Sequence, residues 1–286
     1  IDFRVRPPTR TFPNLTIFRP ELGGAAMVGG WAGPAPRSQL EKSMPLFLEE
    51  LAEGEVTHAV VWGRAVANEA ESTPNDDVAA VVAEHPKLFT GLAGIKAPAP
   101  GEIRATLDEL DRAILKLGLH GITLEPGFSF SETNGADDPR LYPIYERCQE
   151  LGVLIAFTIS VRAGPSIRLS NPSAIDKVAG DFPNLKLVIG HSFWPWVTQS
   201  CAVAFRRDNV WLLPDFYGVR LPGHKGWVDA ANSFLSERIL FGSAYPVTDP
   251  RVLMKEYAKL GYKEGVLQKV MHDNAYELLG LADRGL

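Results

Sequence analysis

His191 directly follows Val188-Ile189-Gly190, where a buried strand would end. A neutral imidazole near pH 7 is suited to general acid or base work. The plainer reading is a buried histidine tied to a backbone carbonyl, but a place at a strand's end favours chemistry. Asp2, Arg4 and Arg6 alternate along the first apolar run, so one side of a strand would carry all three. If Asp2 and Arg4 face inward, so does Arg6. Two arginines at one strand end form a fork for a carboxylate or phosphate. The competing reading pairs them with internal acids such as Glu125, which ends a fourth apolar run, or Asp215, which follows a seventh. Both readings hold if one arginine does each job. Glu125 and Asp215 are in turn candidates for a second acid–base group.

More cations and aromatics follow the same runs. Trp62-Gly63-Arg64 ends the second, Lys96 follows the third, and Arg162 and Arg168 follow the fifth. Phe193, Trp194, Trp196, Tyr217 and Tyr245 stand just beyond the sixth, seventh and eighth. Aromatic walls with a few polar groups describe a small-molecule pocket. Trp196 falls inside a helical pattern, where packing is the better account.

The elements that must position these residues are eight short apolar runs: Ile1–Arg6, His58–Trp62, Phe89–Ile95, Gly121–Leu124, Val153–Thr158, Leu185–Ile189, Val210–Leu213 and Ile239–Phe241. Most show little polar alternation, as strands covered on both faces should. Helical patterns separate or follow them at Leu40–Ala52, Asp76–His85, Gly101–Leu117, Leu141–Leu151, Pro172–Asp181, Trp196–Arg207, Trp227–Leu235 and Pro250–Leu260. Ser38 with Glu41 reads as a capping box for the first helix. Gly54, Gly118 and Gly152 sit where helix C-caps belong, and Pro139 and Pro172 suit first turns. Eight strand–helix repeats predict an α/β fold, a (β/α)8 TIM barrel, as one domain over residues 1–286. An open doubly wound sheet is the runner-up, but no Gly-rich phosphate turn follows an early strand. Two long connections, 7–37 and 126–138, leave the C-terminal ends of strands, where barrels build active sites. They read as lids, with Phe18, Met27 or Trp31 placed over a ligand.

The chain has 286 residues, 45% hydrophobic and 22% charged, the balance of a globular protein able to bury a core. Its net charge of −5 argues against a nucleic-acid partner. No apolar stretch is long enough to span a membrane. Cys148 and Cys201 have no CxxC or Cys/His company, so both read as buried thiols and the expected location is cytoplasmic. The chain starts at Ile1 rather than Met, which leaves a removed targeting segment open. The sequence leaves the oligomeric state open, a homo-oligomer included.

The chain resembles the amidohydrolase-related proteins that include aminocarboxymuconate-semialdehyde decarboxylase and 2-pyrone-4,6-dicarboxylate hydrolase. The likeness is carried by Ile1-Asp2-Phe3, Gly118-Leu119-His120-Gly121-Ile122-Thr123-Leu124, Leu141-Tyr142-Pro143-Ile144-Tyr145-Glu146, Phe182 to His191, Ile239 to Pro246, and Asn274-Ala275. It implies a barrel of the metal-dependent-hydrolase type, with a His-x-His pair ending the first strand, a histidine ending the fifth, another ending the sixth and an aspartate after the eighth. Here those positions hold Arg4 and Arg6, Thr158 (or Phe157 if the register slips), His191 and Ala244. Guanidinium has no lone pair to give a metal. One histidine cannot hold zinc, which takes three or four ligands. The other histidines are scattered: His58 and His120 at strand starts, His85 and His272 near helix ends, and His224 on a loop that could reach the site. No cofactor and no metal are therefore expected, although an unusual metal set of Glu125, Asp215 and His191 is chemically competent.

The expected activity is metal-independent hydrolysis of a lactone- or ester-type bond, or decarboxylation, of a small anionic organic acid. His191, Glu125 and Asp215 would be catalytic. Arg4, Arg6, Trp62, Arg64, Thr158, Arg162, Trp194, Tyr217 and Tyr245 would bind substrate. The alternative is an inactive barrel that binds an anionic ligand or serves as an interaction subunit. Replacement of ligands by functional cations, together with His191, favours the enzyme.

Overall fold

A computed structural model describes residues 1–19, 30, 33–129 and 135–286. Seven parallel strands pair in chain order: β1 Asp2–Val5, β2 Ala59–Trp62, β3 Phe89–Gly94, β4 Gly121–Leu124, β5 Leu154–Thr158, β6 Leu187–Gly190 and β7 Val210–Leu213. The sheet curls into a TIM-barrel-like form. Period-2 alternation sorts its side chains into two layers. Val60, Trp62, Leu154, Ala156 and Val188 fill the inside of the curl. Their neighbours Val61, Ile155, Phe157 and Ile189 pack outward against the helices.

The eighth strand expected over Ile239–Phe241 is not a regular ladder strand. Its segment is joined to each edge by an isolated bridge and two backbone hydrogen bonds. Leu212 N donates to Arg238 O at 2.8 Å and Leu240 N to Leu212 O at 2.8 Å, while Phe3 N donates to Phe241 O and Arg6 N to Tyr245 O, each at 3.0 Å. Ala244, at φ 55°, turns the backbone into the left-handed region before a ladder can extend.

β1 departs from strict alternation. Its register shifts between Asp2 and Val5, so Phe3 joins the inner cluster while Arg4 and Arg6 still face the mouth. Asp2 turns aside. Its Oδ1 accepts from Ser243 N at 2.8 Å and Arg4 N at 3.1 Å, and its buried Oδ2 has no partner. Burial pushes this carboxyl up to about 6. The folded state therefore binds the proton more tightly than the unfolded chain, and ionised Asp2 penalises the fold above about pH 6. The penalty disappears below the ordinary carboxylate range. Asp2→Asn should exceed the parent in stability by roughly 1–3 kcal/mol at pH 8 and match it near pH 4. Urea unfolding at the two pH values checks this, and an equal gain at both would refute it.

Two elements differ from expectation. The first helix begins not at Ser38 but at Ser43, whose Oγ accepts from Leu46 N in the helix Met44–Glu53. Pro45 suits a first turn but not a helix interior, so the chain forms a short Arg37–Leu40 turn and restarts. Ser38 is instead buried between Glu50 and the Tyr245 hydroxyl, and Glu41 pairs with Arg37. The second difference is the C-terminal helix Asn274–Leu278, which the sequence reading lacked. Leu278, Leu279 and Leu281 join Ile1 in the inner cluster, at the end of the curl opposite the arginines. A π-turn over Lys269–Asp273 interrupts the 3.6-residue period there and hides the helical pattern. Among the described residues, no helix is long and apolar enough to cross a membrane.

Candidate active site

A cavity of about 260 Å³ opens at the C-terminal ends of the strands, enough for a small molecule. Its lining includes Arg4 and Arg6 from β1, Arg64 after β2, Glu125 after β4, Thr158 from β5, His191 after β6, and Tyr217, Ala244 and Tyr245 beyond β7. Thr158 faces inward and Phe157 packs outward, which fixes the register of β5.

The backbone turns sharply where the site is built. His191 sits at φ 67°, Asp215 at 46° and Ala244 at 55°. Such left-handed residues cost of order 1–3 kcal/mol each and persist only where surrounding bonds hold them. Trp194 N donates to His191 O at 3.0 Å, and the Tyr257 hydroxyl donates to Asp215 O at 2.8 Å.

Two polar clusters meet at Thr158. In the first, His191 Nδ1 lies 2.7 Å from Asp215 Oδ2. Arg4 Nη1 donates to Asp215 Oδ2 at 3.1 Å and lies against the His191 ring, 2.9 Å from Nε2 and 3.2 Å from Nδ1. Arg4 Nη2 donates to Thr158 Oγ1 at 3.2 Å. In the second cluster, Glu125 accepts from Arg6 Nη2 at 2.8 Å and from Arg64 Nε at 3.0 Å. Thr158 Oγ1 lies 3.4 Å from Glu125 Oε1 and joins the two. Arg64 also reaches Glu71 Oε2 at 2.9 Å, and Glu71 in turn accepts from the backbone and hydroxyl of Thr16.

These contacts set the charge states. Burial alone would raise Glu125, but Arg64, Arg6 and Arg4 outweigh it and hold the carboxyl at about 2. Glu125 is thus a fixed anion that orients two arginines, and its protonation for acid–base work is strongly disfavoured. Burial lowers Arg6 to about 10, against the pull of Glu125, so it stays charged at neutral pH. Burial and Arg4 lower His191, while Asp215 opposes them, so the imidazole is neutral near pH 7.

The structure gathers most of the residues named from sequence. Arg4, Arg6, Arg64, Glu125, Thr158, Arg162, His191, Tyr217 and Tyr245 line the cavity. Asp215 is fully buried behind Arg4 and His191. Trp62 and Trp194 stand outside the lining. The Trp62 ring lies 4.6 Å beneath the Arg4 guanidinium, and Trp194 stacks on Tyr217 at 5.4 Å. His224 bonds Leu221 O at the start of a helix, and Lys96 faces a separate cavity with Asn75 and Glu109. Of the first long connection, Thr16 and Ile17 line the cavity. Phe18 packs edge-on to Tyr245 at 6.3 Å, and Met27 and Trp31 lie outside the described residues. Phe128 represents the second connection in the lining. Glu71 was missed, although an acid seven residues beyond Arg64, in a connection leaving a strand's C-terminal end, was a usable signal.

The donor set does not fit a divalent metal. A guanidinium nitrogen stands within 3.1 Å of both His191 Nε2 and Asp215 Oδ2, and Glu125 is engaged by two arginines. Glu125, Asp215 and His191 therefore do not converge as a metal site, and no group of three His, Cys, Asp or Glu among the described residues could hold one.

Residues 11–281 match the model of a family described as amidohydrolase. Over 83 residues, 28% of this chain, the sequence is 41% identical to the 2-amino-3-carboxymuconate-6-semialdehyde decarboxylase of Dictyostelium discoideum. Over 152 residues, 48% of this chain, it is 26% identical to the 2-keto-4-carboxy-3-hexenedioate hydratase of a Sphingobium species. These matches span 21% and 42% of the two relatives' own lengths. An uncharacterized TIM-barrel protein of Bordetella bronchiseptica superposes with a TM-score of 0.90 at 39% identity, covering 99% of each chain.

Proposed function

The chain belongs to the amidohydrolase family, and from that premise we propose that it is an enzyme that opens a lactone- or ester-type C–O bond in a small carboxylated acid, with His191 as general base and no bound metal. The observation that carries this reading is the His191–Asp215 contact of 2.7 Å at the mouth of an arginine-lined cavity. With its hydrogen on Nδ1 toward Asp215, the imidazole keeps a lone pair on Nε2. Nε2 takes a proton from water as the water oxygen bonds to the acyl carbon. The C–O bond then breaks, and the departing oxygen receives that proton.

Four arginines face two carboxylates in the lining, which suits an anionic substrate. Arg4, Arg6 and Arg64 each hold an internal acid. Arg162 is exposed and has no carboxylate partner among the described residues, so it is our choice for the substrate carboxylate. Thr16, Ile17 and Phe128 support lid roles for both long connections. The unpaired thiols of Cys148 and Cys201 agree with the proposed cytoplasmic location. Decarboxylation is the second reading, favoured by the match to a decarboxylase. It needs a proton delivered to carbon, and an imidazole whose protonated form is disfavoured is a poor donor.

The test is a panel of lactones and carboxylated ring-cleavage products, assayed on protein dialysed against a chelator and checked by elemental analysis. Turnover without stoichiometric metal is expected. A charge-assisted hydrogen bond contributes about 1.5–3 kcal/mol, so Arg162→Ala should raise KM by about 10–100-fold with kcat less affected. One zinc or manganese per chain, with activity lost on its removal, would overturn the metal-free reading. A wholly inert panel would favour the anion-binding barrel.

A further inference from the structure

We infer that Arg64 and Glu71 form a clasp that holds the Thr16–Phe18 turn as a fixed wall of the cavity: Arg64, braced on Glu125, orients Glu71, and Glu71 grips Thr16. Arg64 is then a positioning residue that acts through Glu71 and leaves the substrate to Arg162. The inference rests on the reading of this cavity as the substrate site and deepens it, because the wall decides how much room a substrate has.

The clasp is built on a tight frame. Thr73 N donates to Arg64 O at 2.7 Å and Arg64 N to Thr73 Oγ1 at 2.9 Å, so the loop 64–73 is closed at its base. Gly94 lets that base lie on the end of β3, since a Cβ there would stand 2.6 Å from the Arg64 backbone. The Arg64 guanidinium spans three acceptors. Nε donates to Glu125 at 3.0 Å, and Nη1 donates to Glu71 O and Glu71 Oε2, each at 2.9 Å. A guanidinium is planar and its donors point in fixed directions, so an Arg64 held by Glu125 fixes Glu71 in turn. Glu71 Oε1 accepts from the Thr16 amide at 3.1 Å and from the Thr16 hydroxyl. The same loop reaches the second long connection. Ala67 N donates to Phe128 O at 3.0 Å, and the Phe128 ring lies 5.4 Å from the Arg64 guanidinium. Thr16, Ile17 and Phe128 all line the cavity, so one loop braces both connections where they meet it. A similar pairing recurs upstream, outside the lining. Thr11 N and Oγ1 donate to Asp77 Oδ2 at 3.2 and 2.6 Å, in the first turn of the helix Asn75–Glu84. It serves as an internal control.

The experiment is residue-resolved amide hydrogen exchange, followed by NMR without substrate. In the parent, the Thr16 and Thr11 amides should both exchange slowly. Glu71→Ala should quicken Thr16 by about 10–100-fold, the loss of one charge-assisted hydrogen bond, and leave Thr11 unchanged. Arg64→Met should quicken Thr16 as well, although Arg64 bonds Glu71 and not Thr16. The double variant should exceed Glu71→Ala by little, because the two residues act in series. Arg64→Gln takes the place of Arg64→Met if the latter does not fold. A Thr16 amide that is fast in the parent, or slow in Glu71→Ala, overturns the inference. So does a folded Arg64 variant with Thr16 at the parent rate, or a double variant far faster than Glu71→Ala. Equal quickening of Thr11 and Thr16 would mark general loosening and overturn it too. No substrate enters the measurement, so an inert substrate panel would sink the hydrolase reading and leave this result standing.

Discussion

His191→Asn is expected to lower turnover of an identified substrate by about 10²–10⁴-fold while the fold is retained, the usual effect of removing a general base. The substitution is chosen for its backbone. His191 sits at φ 67°, and asparagine tolerates the left-handed region better than most residues. The imidazole is the group at the cavity that is neutral, paired with a buried carboxylate and able to accept a proton. Glu125 cannot replace it, being held ionised by two arginines, and Asp215 does not reach the lining. The fall should appear in kcat and in kcat/KM alike, because proton transfer belongs to the transition state. Near-parental kcat in a folded His191→Asn protein would remove the histidine from the chemistry.

Glu125→Leu should destabilise the fold by about 3–5 kcal/mol, the range for breaking a buried ion pair from one side. Among the described residues, Arg6 would keep its contact of 3.4 Å with Trp62 O, and Arg64 would keep Glu71. The effect is pH-dependent with a definite sign. Glu125 titrates at about 2 when folded and near 4.5 otherwise, so its contribution is complete above the ordinary value and lost as pH falls toward 2. The double variant Glu125→Leu with Arg6→Met should recover much of the loss, because it removes the stranded charge together with its partner. Thermal melts of the two proteins at pH 7 decide the matter. A double variant no better than Glu125→Leu would mean that packing, not charge, sets the effect.

Seven strands lie within two residues of their apolar runs, because most covered strands carry a nearly continuous apolar signal over four to six residues. The eighth segment, although apolar, forms isolated bridges and no continuous ladder, and a left-handed turn at Ala244 follows it. The final helix was hidden by a π-turn that breaks its period. The place of the site was legible in the same way. A parallel α/β sheet of this kind puts its strand ends on one face, so His191, Arg4, Arg6 and Glu125 could be brought together from their positions alone.

By itself the sequence determined the order of seven strands and of the helices between them, and the face on which polar groups collect. Only the tertiary structure decided which charges are consumed. Arg4 meets His191 across 187 positions and Asp215 across 211, and Arg6 meets Glu125 across 119. Hydrophobic periodicity is local and reports which side of an element is buried. Ion pairing depends on ångström distances between strand ends that no local pattern encodes. For that reason Arg4, Arg6, Arg64 and Arg162 read alike in the sequence, yet in the fold the first three are held by internal acids and Arg162 faces the cavity without one among the described residues.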